Sequence, residues 1–144
     1  MSAPKRPRLL LDTHVWIWLS FGAVGHLKPA LRARLAAANQ DEPLHVSIIS
    51  VWEIAMLAAK GRLNLFTPVE AWIERALAHP GIRLLGLEHP AVAVDSCNLP
   101  GEFHADPADR FLVATARVGH YTLVTHDQKI IDYGKAGHVR VLAA

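Results

Sequence analysis

A single cysteine, Cys97, is the only thiol among 144 residues. That excludes a disulfide framework and any zinc site built on paired cysteines, and it suits a reducing, cytoplasmic setting. No apolar run approaches the ~18 residues that a membrane span requires. The start of the chain carries Lys5, Arg6 and Arg8, but only Leu9, Leu10 and Leu11 follow before Asp12, which fits neither a signal peptide nor an anchor. Residues 1–7 read instead as a flexible, solvated basic tail. A large excess of one charge is also missing: 15 Lys and Arg against 13 Asp and Glu leave a formal charge of +2. Nine histidines are present, yet no H-E-x-x-H or Cys/His spacing occurs, so the common zinc motifs are absent. There is no repeat, low-complexity tract or linker. With 51% apolar residues to fill a core, the chain reads as one domain, 1–144.

What is present is an alternation of short β runs and helix-length amphipathic runs, jointed by Pro and Gly, which makes the chain α/β. Strands are expected at Leu9 to Asp12, Leu44 to Ile48, Ile82 to Leu87, Tyr121 to Thr125 and Val139 to Leu142, the last as an edge. Helices are expected from Thr13 to Phe21, from Pro29 to about Ala38, from an N-cap at Ser50 to Gly61, and from Pro68 to His79. Further helices should begin at Pro90, run from Asp106 and Pro107 to Val118 with Gly119 as the stop, and span Gln128 to Tyr133. The apolar run Leu9 to Leu11 suits a strand buried on both faces of a parallel sheet, and such sheets gather ligand sites at the carboxyl ends of their strands.

Four acids fall at those strategic positions. Asp12 and Asp127 follow strands, while Glu53 shares a helix face with Ile49, Trp52, Met56 and Leu57. Asp109 points inward with Leu112, Val113 and Ala116. Three of them have a plain structural reading: Asp109 favours the helix dipole behind an N-cap at Asp106, Asp12 makes an Asx-turn with Thr13, and Asp127 caps a short helix, whereas Glu53 must be protonated, paired or metal-bound. Four inward acids together would repel each other, and a hard divalent cation is the simplest compensation. Oxygen-only ligands point to Mg²⁺ or Mn²⁺. Such a site supports hydrolysis of a phosphodiester without a side-chain nucleophile.

The segments Leu-Leu-Leu-Asp12-Thr13-His14, Ser50-Val-Trp52-Glu53-Ile-Ala, His104-Ala-Asp106-Pro107-Ala-Asp109-Arg110 and Leu-Val-Thr125-His-Asp127 resemble, in order and over nearly the whole chain, the motifs of PIN-domain proteins. The similarity is greatest to the VapC-type toxins of toxin-antitoxin pairs. It implies a three-layer fold, with a central parallel β-sheet of about five strands flanked by helices, filling a single PIN domain. It also implies a Mg²⁺- or Mn²⁺-dependent endoribonuclease, with a tRNA or other structured RNA as substrate, a VapB-type antitoxin as partner, and a homodimer. Carried over by position, the family's catalytic and metal-site acids are Asp12, Glu53, Asp109 and Asp127, with Asp106, Thr13, Thr125 and Arg110 as accessory positions. One departure is Leu57, where similar sequences often carry Lys; Lys60, Arg62 or Arg110 are candidates to supply the missing positive charge.

Other readings compete. A haloacid-dehalogenase phosphatase also begins with an Asp at a strand end, but it expects a second acid where His14 stands. A PIN fold serving as an RNA- or protein-binding module without catalysis is the stronger rival, opposed by the intact quartet. Among the remaining residues, His104 or His126 is a candidate to touch a phosphate, Cys97 reads as a small packing residue, and Trp16, Trp18, Trp52 and Trp72 read as core. The helices Lys28 to Asn39 and Pro68 to His79, with Arg32, Arg34, Glu70, Glu74 and Arg75, present either a surface for an antitoxin or a second copy, or simply ordinary half-buried helix faces.

Overall fold

The computed structural model describes residues 6–144. Five short strands, β1 (Leu9–Leu11), β2 (Leu44–Ser47), β3 (Ile82–Leu85), β4 (Thr122–Thr125) and β5 (Val141–Ala143), form one sheet in the order β3-β2-β1-β4-β5. Every neighbouring pair is parallel. Parallel neighbours need crossovers, and seven helices supply them: α1 (Thr13–Ser20), α2 (Pro29–Ala36), α3 (Ile48–Ala59), α4 (Val69–Leu77), α5 (Pro90–Cys97), α6 (Pro107–Gly119) and α7 (Gln128–Lys135). A 3-10 turn at Val24–His26 joins α1 to α2 and was not foreseen from the sequence.

The alternation of side chains along a strand splits the core into two layers. Leu9, Leu11, Leu44, Val46 and Val124 pack with α1 to α4 on one face, against Trp16, Leu31, Ile54 and Trp72. Leu10 and Leu123 face the other way and meet Val92, Leu112, Val113, Ile130 and Tyr133 of α5 to α7. This is why the first strand is apolar at every position. Its three leucines are essentially solvent-free, and each such side chain contributes about 1.5–3 kcal/mol of burial free energy.

Several local expectations are corrected. Helix α3 is capped by Ser47, not Ser50: the chain stays extended through Ser47 (φ −88°, ψ 148°), and its side chain accepts from the Ile49 N–H at 3.0 Å. Because β2 runs straight into α3, Ser50 already lies inside the first turn, buried. Helix α6 includes Gly119, and the left-handed stop is His120 (φ 58°). Gly119 is needed for another reason, since a Cβ there would stand 2.5 Å from the Tyr121 ring. Cys97 is exposed rather than packed.

Most of the expected tail, 1–7, falls outside the described residues, Lys5 included. Arg6 pairs with Glu42 at 3.4 Å on the surface, and the Arg8 guanidinium sits over the Tyr121 ring at 4.3 Å while donating to the Gly119 carbonyl.

Candidate active site

The sheet order places β1 at the centre, with connections running outward on both sides of it. The carboxyl ends of β1 and β4 therefore flank the point where the winding reverses, the usual place for a cleft in an open α/β sheet. Asp12 leaves β1 there and Asp127 follows β4. Glu53 arrives on α3 and Asp109 on α6. Together with Asp106, His14, Trp18 and His126 they line one cleft of about 380 Å³.

Asp12 is the best-held of the acids, buried and fixed at both oxygens. The Thr13 N–H donates to Oδ1 at 2.6 Å, which also caps α1, and the Thr125 hydroxyl donates to Oδ2 at 2.6 Å. Thr125 Oγ1 in turn accepts from the Asp127 N–H at 3.0 Å, so one hydroxyl ties the two strand ends together. Thr13 turns its own hydroxyl to Ser50 at 2.8 Å, locking α1 against α3 beside Glu53. The capping readings from the sequence hold as well: Asp106 accepts from the Asp109 N–H at 3.1 Å and Asp127 from the Lys129 N–H at 2.8 Å. Capping and cleft lining are thus the same residues at work, because helix starts and strand ends meet at this edge.

The electrostatics match that crowding. Burial raises the Asp12 carboxyl above its ordinary range, partly opposed by Thr125, His14 and Thr13. Glu53 is raised by burial and by Asp12 and Asp106, with the Thr13 hydroxyl and His14 working the other way. Asp109 is pushed up to about 8, first by burial and then by Asp12, Asp106, Asp127 and Glu53. Its neighbour His104 does little to relieve this. The Asp106 N–H approaches Nδ1 of His104 at 3.3 Å, which assigns the ring hydrogen to Nε2; that atom lies 3.1 Å from Asp109 Oδ2 yet is not aimed to donate and has no hydrogen-bond partner.

The donor set is all carboxylate oxygen, the chemistry that suits Mg²⁺ or Mn²⁺. Among the described residues, no three acidic, histidine or cysteine side chains converge closely enough to hold one ion as they stand. The fit to a cation therefore lies in the shared lining of the cleft and the mutual repulsion of its acids.

Four sequence expectations change here. Trp52 is not on a buried face with Glu53 but 53% exposed; the buried residues of α3 are Ser50 and Ile54. Arg110 does not face the acids. Its guanidinium donates to the backbone carbonyls of Ser96 at 2.7 Å, Phe103 at 3.0 Å and His104 at 3.1 Å, and so braces the loop before α6. Lys60 and Arg62 are exposed beyond the end of α3, and among the described residues no lysine or arginine lines the cleft. Trp18, read from the sequence as core, packs against the core only in part and also lines the cleft. Two residues apart on a helix cannot share a face, so with Trp16 fully buried Trp18 had to look elsewhere.

A parallel sheet wound both ways from β1, with acids from four segments meeting at its carboxyl edge, defines a class of α/β protein. Residues 9–136 match the PIN domain, and the chain belongs to the PIN-domain family. Ribonuclease VapC22 of Mycobacterium tuberculosis is 37% identical over 122 residues, which are 85% of this chain and 88% of that protein. The fold is shared with DNA-bound VapBC from Salmonella typhimurium, at a TM-score of 0.67 and 15% identity over 96% of this chain and 98% of that one. It is shared too with VapBC2 from Rickettsia felis bound to a promoter DNA fragment, at a TM-score of 0.65 and 11% identity over 94% and 97%.

Proposed function

We propose that the protein is a VapC-type endoribonuclease, the toxin of a toxin-antitoxin pair, and that Asp12, Glu53, Asp109 and Asp127 form its catalytic metal site. The observation that carries this reading is the meeting of acids from β1, α3, α6 and the end of β4 in one cleft, in a chain 37% identical to a VapC ribonuclease. Mg²⁺, or Mn²⁺ in its place, would be held by these carboxylates and, when bound, would neutralise phosphate charge and make water a better nucleophile. The chain's own part is positioning. Thr13 and Thr125 fix both oxygens of Asp12, Asp106 caps α6 and so aims Asp109, and Thr125 keeps Asp127 in register with Asp12.

The same reading makes one PIN domain of residues 1–144, works in the cytoplasm, and gives the protein an RNA substrate, a VapB-type antitoxin and a homodimeric state. None of the helices in the described residues is long and apolar enough to cross a membrane. An apolar groove of about 590 Å³, lined among others by Leu35, Phe66, Trp72 and Arg75, offers the antitoxin a seat between α2 and α4. A noncatalytic binding module is the second reading, favoured by one observation, the lack of three converged ligands among the described residues.

The deciding experiment is cleavage of a pool of structured and single-stranded RNAs with Mg²⁺, with Mn²⁺ and with EDTA, beside Asp12→Asn. Metal-dependent cutting that the variant loses is expected. Binding without cutting under any metal would select the noncatalytic reading.

A further inference from the structure

Trp18 stands at the wall of the acidic cleft, half-buried, and three histidines gather around it. His26, on the 3-10 turn, lies nearly parallel to the indole, with ring centroids 4.7 Å and planes 21° apart. His126 meets it edge-on at 5.3 Å and 73°, and His14 is tilted at 6.2 Å and 55°. All three imidazoles are exposed, and none makes a side-chain hydrogen bond among the described residues. His14, Trp18 and His126 thus form an aromatic wall that shares the cleft with Asp12 and Asp127, and His26 extends it outward from the indole.

We propose that Trp18 and His26, flanked by His14 and His126, form a nucleobase subsite that stacks one unpaired base of single-stranded RNA next to the phosphate to be cut. The proposal rests on the ribonuclease reading above and adds where the nucleotide is held. Two arguments carry it. No lysine or arginine lines the cleft among the described residues, so beyond the metal that would meet the phosphate, the side chains there are left to hold the nucleotide through its base. Every base presents a π face, which an indole and imidazole column can extend whatever the sequence. Bases inside an A-form duplex are already stacked on their neighbours and cannot reach such a wall, so the subsite selects loops and unpaired segments.

The test uses the full chain and a randomised single-stranded oligoribonucleotide of about 12 nucleotides, within the span such platforms cover. Trp18→Leu is expected to raise KM about tenfold more than it lowers kcat, Trp18→Phe to recover most of that loss, and His26→Ala to give an intermediate rise. A strand of the same length lacking its bases should inhibit the parent protein and Trp18→Leu equally. Should the parent cut RNA while Trp18→Leu, Trp18→Phe and His26→Ala all keep its KM, the subsite is wrong and the ribonuclease reading stands. A parent that cuts structured RNA but neither binds nor cuts this strand overturns the subsite alone; one that cuts neither overturns both. His26 is exposed, so its variant decides the matter even if Trp18→Leu melts early by circular dichroism.

Discussion

The hydroxyl of Thr125 donates to Oδ2 of Asp12 at 2.6 Å, across the central strands β1 and β4. This bond holds the most buried acid of the cleft in one orientation and lowers the cost of ionising it. Thr125→Val keeps the shape and removes the donor. Removing the donor of a buried hydrogen bond costs about 1–3 kcal/mol, so the variant should melt several degrees lower. RNA cleavage should fall about tenfold or more, read by thermal melts and turnover side by side.

Asp109, Asp12 and Glu53 all have carboxyls raised above their ordinary values. In the unfolded chain they ionise near pH 4, while in the fold Asp109 keeps its proton to about 8. Between those limits the native state binds more protons than the unfolded one, so stability is full below pH 4 and declines as pH rises through 8. In EDTA, Asp109→Asn should remove most of that decline and stabilise the protein more at pH 8 than at pH 5. A parent protein that melts higher at pH 8 than at pH 5 under these conditions would contradict the electrostatic account.

A divalent cation held in the cleft would oppose the same repulsion. Mg²⁺ or Mn²⁺ should raise the melting temperature of the parent protein more at pH 8 than at pH 5, and EDTA should reverse it. Asp12→Asn, which keeps the shape but sets an amide NH2 against one of the two donors that Asp12 accepts, should lose the metal-induced rise and show no turnover. Calorimetric titration of metal into both proteins checks the binding directly.

Arg110 acts through geometry rather than charge, since its guanidinium ties the Phe103 and His104 carbonyls of the loop before α6 to the Ser96 carbonyl of α5. Arg110→Lys keeps the charge but cannot span those acceptors. Both Arg110→Lys and Arg110→Ala are therefore expected to cost about 2–4 kcal/mol and to loosen the loop 98–106, seen as faster amide exchange there. Full rescue by lysine would mean that the charge, not the fork, matters.

Much of this was readable from residues alone because the information is local. Leu9 to Leu11 spell a strand buried on both faces, Pro29, Pro90 and Pro107 open helices, and Asp106 and Asp127 carry the capping chemistry that the structure uses. The errors arose where a local pattern served more than one outcome. The periodicity of α3 could not say that Trp52 would find no partner, and no sequence rule distinguished Ser47 from Ser50 as the cap when a strand passes directly into a helix.

Propensity, capping and alternation act over a few residues, so the elements, their order and the acids at their ends are written locally in the chain. What those acids and their neighbours do depends on how the elements pack. The parallel order around β1 brings Asp12 and Asp127 to one edge, packing turns Arg110 toward the backbone and away from the cleft, and the burial of Trp16 leaves Trp18 to face the acids. These outcomes depend on contacts between residues far apart in the chain, which periodicity does not encode.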